Sequence, residues 1–72
     1  MSNENRTKLR TLLNYWIDHN KEHSQEFKEW AGRAEGSGEV EISKEITEAA
    51  RKMDEASENL LRALKRLEQK EL

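Results

Sequence analysis

A chain of 72 residues makes one domain, and at this size folding buries only about 60% of the surface that the unfolded chain exposes, so a staple or a partner is expected. Cysteine is absent, which excludes disulfides, Fe–S clusters, thiolate zinc sites and cysteine nucleophiles together. Charged residues make up 39% of the chain but the net charge is only −2, an interleaving of signs that argues against nucleic acid as the main partner.

The first ten residues are polar and carry no apolar run, which argues against a signal peptide, and no stretch approaches the ~18 apolar residues of a membrane span. The expectation is a cytoplasmic protein with no membrane partner. Proline is absent and Glu, Lys, Arg, Ala and Leu are abundant, a composition that favours long uninterrupted helices.

The first helix is predicted over about residues 5–34, with Asn3, Asn5 or Thr7 as its N-cap. Leu9, Leu13, Trp16, Asn20, His23, Phe27, Trp30 and Ala34 follow one another at spacings of 4, 3, 4, 3, 4, 3 and 4, one face of a helix. The three aromatic residues of this seam are read as core. Its two middle positions are polar, and burying an amide and an imidazole between aromatic layers costs free energy unless both find partners. A polar core layer of Asn20, His23 and Ser57 is therefore expected, His23 donating to Ser57 or a backbone carbonyl and Asn20 fixing the register.

Gly36-Ser37-Gly38 is the clear helix breaker, and the loop is placed at about residues 35–42, with Ser43 capping the next helix. Gly32 lies inside the first pattern at a cost of about 1 kcal/mol relative to alanine, so the last turn is expected to fray or end there. The second helix, about residues 43–70, carries Ile46, Ala49, Met53, Ala56, Leu60, Ala63 and Leu67 at alternating spacings of 3 and 4. Glu39, Glu41, Glu45 and Glu48 at its start and Arg62, Lys65, Arg66 and Lys70 at its end complement the helix dipole.

Two such helices, each about 40 Å long at 1.5 Å per residue, should fold back as an antiparallel hairpin. Folding about Ser37 sets Trp30 against Ile46, His23 against Met53, Trp16 beside Leu60 and Leu9 beside Leu67. A hairpin offers a single contact line, yet Leu12, Ile17 and Ala31 flank one seam, and Ala50, Leu61 and Leu64 the other. A second copy would cover them, so the predicted architecture is an all-α, antiparallel two-helix hairpin that dimerises into a four-helix bundle.

His19 and His23 stand at i and i+4, the spacing that stacks both rings within reach of one transition-metal ion, and Glu26 lies on the same edge. His19, His23 and Glu26 are therefore the candidate metal ligands, for zinc, nickel or another divalent transition metal, with two copies completing the set. The run His19 to His23 also fits H-x-x-E-H, the inverted zinc-protease helix. That chemistry requires a third ligand and a substrate cleft, and Glu22 falls on the face opposite the seam, so no enzymatic activity is expected.

The run Trp16-Ile17-Asp18-His19-Asn20-Lys21-Glu22-His23, followed by Phe27, Trp30 and Ala31, resembles a group of small prokaryotic proteins with a W-x-x-H-N-x-x-H-x-x-x-F-x-x-W-A helix and a second helix ending in a Leu-rich stretch. The likeness covers most of residues 9–67 and implies a helical hairpin of no assigned activity. The reading that results is a non-enzymatic interaction or scaffold protein acting as a homodimer or in a larger protein complex. The alternative is a transition-metal binding or trafficking protein that uses His19 and His23.

Overall fold

The computed structural model describes residues 2–70, and over these the chain is two helices, α1 (Asn3–Gly36) and α2 (Val40–Lys70), packed as an antiparallel hairpin. The expected span of 1–72 includes residues 1, 71 and 72, which lie outside the described residues, as does the side chain of Lys70. The hairpin is a rod of 52 × 14 × 14 Å.

Both helices are longer than their sequence patterns suggest. Ser2, rather than Asn3, Asn5 or Thr7, is the N-cap, its hydroxyl accepting from the Asn5 amide at 3.2 Å. At the other end α1 runs through Gly32 without a break and stops only when Ser37 adopts a non-helical conformation. Gly38 then takes φ = +86°, a left-handed turn that lets the Glu39 amide return to the Ala34 carbonyl at 2.8 Å and the Gly38 amide to that of Glu35 at 2.9 Å. The turn is thus satisfied by backbone alone, and Val40-Glu41-Ile42 becomes the first turn of α2 instead of loop. Ser43, the expected N-cap, lies inside α2, and its hydroxyl crosses to donate to the Ala31 carbonyl at 2.8 Å.

The contact line between the helices keeps Leu13 and Leu67 of the predicted seams, with Leu9 and Leu60 against them, and elsewhere runs one residue position over. On α1 the buried residues are Leu13, Ile17, Ser24 and Ala31. On α2 they are Ser43, Ala50, Leu64 and Leu67. Trp16 and Trp30, expected in the core, are 39% and 57% exposed. Residues read as flanks, namely Ile17, Ala31, Ala50 and Leu64, join Leu13 and Leu67 of the seams among the buried residues. The cause is steric: two helices approach to about 8–10 Å between axes only where the side chains at the crossing are small enough, and indoles in a two-helix contact hold the backbones apart. Ile17, Ser24 and Ala31 recur every seven residues, as do Ser43, Ala50, Ser57 and Leu64, and these two mostly small-residue stripes are pressed together.

The line tapers. Near the turn it is made of Ala31, Ser43, Ala50 and Ser24, and at the open end Leu13, Ile17, Leu64 and Leu67 form the apolar core, with Leu9 and Leu60 against it. Arg6 closes the open end by donating Nη2 to the Leu67 carbonyl at 2.7 Å.

Candidate functional site

Three features of α1 define the candidate site. The first lies between the helices. The buried Ser24 hydroxyl donates to the Asp54 carboxylate at 2.6 Å, and Lys28 reaches the same carboxylate at 3.1 Å. The Ser24 hydrogen bond, with the ammonium of Lys28 beside it, holds the Asp54 carboxyl below the usual aspartate range. This pair takes the place of the expected layer of Asn20, His23 and Ser57. Asn20 and His23 are half-buried beside the contact line, and the enclosed Ser57 hydroxyl makes no hydrogen bond among the described residues. Turning α1 so that Ile17, Ser24 and Ala31 face α2 carries His23 off the axis between the helices, out of the position where it would meet Ser57.

The second feature is an aromatic ladder at i, i+4 spacing. Tyr15 stacks on His19 with ring centres 5.4 Å apart, His19 meets His23 edge-on at 4.4 Å, and His23 lies 6.2 Å from Phe27. The Nε2 atoms of His19 and His23 are 2.9 Å apart, so in the neutral pair one ring must present N–H and the other its lone pair. His19 is exposed and His23 half-buried, so the couple is open to solvent at His19. Glu26 does not join them: no three of the described His, Asp and Glu residues gather into a group able to hold a metal ion. Seven residues separate Glu26 from His19, which places it roughly 10 Å farther along the helix axis.

The third feature is the face on which the ladder stands. Leu12, Tyr15, Trp16 and Trp30 are exposed on α1, and Val40, Ile42 and Leu61 on α2, where Leu61 lines a separate groove with Ile17, Lys21 and Ser57. Trp30, Ala34, Ile42 and Ile46 line one shallow groove of about 300 Å³ near the turn, so the aromatic edge of α1 and the Ile42–Ile46 edge of α2 belong to one side of the hairpin. Farther along that edge of α2, Ala49, Ala56 and Ala63 repeat every seven residues, all exposed. Arg33 covers part of Trp30, its guanidinium carbon 4.6 Å from the ring centre, and the rest of the indole stays open.

A family model matches residues 9–67, most of the chain and both helices of the hairpin. The chain belongs to the family described as a domain of unknown function, DUF8180. Among its relatives is an uncharacterized protein of Archaeoglobus fulgidus, 44% identical over 57 residues, a match that covers 79% of this chain and 90% of that protein. No solved structure matches this DUF8180 chain. No helix among the described residues is long and apolar enough to cross a membrane.

Proposed function

We propose that this DUF8180 protein is a non-enzymatic interaction module that works as a homodimer, two hairpins joining through their aromatic faces into a four-helix bundle. The observation that carries this reading is the exposure of Trp16 and Trp30 on a heptad-patterned face. A lone hairpin leaves two indoles and several aliphatic side chains in water beside a small core, whereas a bundle buries them. The same module could serve as a homodimer within a larger cytoplasmic complex, and the reading includes that location. Light scattering on the full chain checks it: a mass near twice 8.5 kDa is expected, and a single-chain mass at concentrations up to the millimolar range overturns it.

A second reading rests on one distance. A metal held by two imidazole nitrogens at about 2.0–2.1 Å places those nitrogens roughly 3 Å apart, and the Nε2 atoms of His19 and His23 are 2.9 Å apart. The pair would act as a two-nitrogen clip for zinc or nickel, completed by water or by a second copy, in a metal-binding or trafficking role. Titration with zinc or nickel checks this: His19→Ala and His23→Ala should each weaken binding at least tenfold, because one imidazole loses the chelate. Equal binding by the wild type and both variants sinks it.

A further inference from the structure

From size matching and edge charge we infer that the partner of the aromatic face is a second copy lying with its turn at the same end, so that the aromatic edge of each α1 packs against the alanine edge of the partner's α2. This rests on the homodimer reading and adds the arrangement to it.

Two hairpins stacked face to face can be related in two ways. If the two-fold axis crosses the rod, the turns lie at opposite ends and each helix meets its own copy. Trp16, His23 and Trp30 would then lie against the same bulky set, while Ala49, Ala56 and Ala63 met alanines. The interface would be wedged open on one side and underfilled on the other, a loss of packing on both. If the axis runs along the rod, the turns lie together and α1 meets the partner's α2. The pairs Ser24–Asp54 and Ser43–Ala31 fix which positions of the two helices are level. On that register Trp16 falls between the levels of Ala63 and Ala56, His23 between Ala56 and Ala49, and Trp30 between Ala49 and Ile42. Trp16 and His23 each have a gap between two alanines to enter and Trp30 one between Ala49 and Ile42, the knobs-into-holes requirement of a helical bundle.

Charge agrees at two of three positions on the outer edge. On the outer edge of α1, Glu26 and Arg33 come level with Lys52 and Glu45 on the partner's α2, opposite signs at both positions. At the open end Lys8 comes level with Arg66, a like pair, but Lys8 already has Glu4 at 3.5 Å. The area is sufficient as well. A face of 52 × 14 Å offers about 700 Å² per copy, and the total of about 1,400 Å² is the size of stable protein interfaces.

The absence of cysteine allows a direct test. A spin label on Ser37→Cys, at the exposed turn, reports the distance between turns in the dimer. With turns together the labels should lie about 20–30 Å apart, a helix diameter or two plus the label arms. A separation near or beyond the 52 Å length of the rod overturns this arrangement while leaving the dimer standing. A monomeric mass with no dipolar coupling overturns the dimer and the arrangement together. Ala56→Trp supplies a second readout, since Ala56 is exposed in the hairpin and its replacement should leave the fold intact. It should weaken dimerisation at least tenfold at unchanged helix content, and an unchanged dissociation constant overturns the alanine edge as a contact.

Discussion

Among the polar links between the helices, the Ser24 hydroxyl on the Asp54 carboxylate joins two side chains, and its consequences at the residue scale can be measured. Ser24 is 2% exposed, and its hydroxyl has Asp54 as its partner. Because the Asp54 carboxyl titrates below its ordinary value near 3.8 in the folded chain, the charged form is the one that folding favours. The stabilisation is present in full above that value and is lost as pH falls through the lowered one. Thermal melts between pH 7 and pH 2 should therefore show a drop in Tm below about pH 4, and Asp54→Asn should flatten that part of the profile. In Ser24→Ala the Asp54 carboxyl should return towards its ordinary value, by NMR titration, and the drop in Tm on acidification should become smaller. An Asp54 titration unmoved by Ser24→Ala would show that Lys28 alone sets it.

At the scale of the helices, the turn rests on one glycine. Gly38 has φ = +86°, and an L-residue there is strained by roughly 1–2 kcal/mol even though space for a methyl group exists. Gly38→Ala should lower stability by about that amount in chemical denaturation, whereas Gly36→Ala, in helical backbone with open space around it, should be neutral or stabilising. Packing between the helices is equally specific. Ala50 is 1% exposed, and Ala50→Leu should destabilise by about 1–3 kcal/mol through forced separation of the helices.

The two helices and the position of the turn were legible because a 3.6-residue repeat, Gly36-Ser37-Gly38 and the absence of proline all act locally. Which stripe of α1 meets α2 was not legible in the same way. Trp16, His23 and Trp30 are each one residue before Ile17, Ser24 and Ala31, so two adjacent stripes compete for one contact line. Apolar content favours the first stripe and close approach the second. The available signal was the strict heptad of mostly small residues on both helices, which hydrophobicity alone does not weigh. His19 and His23 were placed side by side by their spacing, but the Ser24–Asp54 pair depends on the rotation of α1 and could be read only from the packed helices.

For the whole molecule, the division of labour between the two stripes decides stability. Small residues bring the helices together, and the large residues displaced from that line are left exposed beside it. A core of Leu13, Ile17, Leu64 and Leu67, with Leu9 and Leu60 beside it, is small for a rod 52 Å long. If the aromatic faces of two copies join, folding and association are coupled, and Tm should rise with protein concentration by mass action. Trp16→Glu with Trp30→Glu should abolish that dependence and lower Tm to the value of the isolated hairpin, because charged carboxylates on an apolar interface would be buried without partners. Neither indole is among the buried residues of the α1–α2 contact, so the variant should keep its Ser24–Asp54 hydrogen bond and its helical signal at low temperature. Calorimetry over a hundredfold range of concentration separates the cases. A wild-type Tm that does not move, or a double variant that melts with the wild type, would mean that the indoles contribute nothing to a dimer and that the hairpin stands by itself.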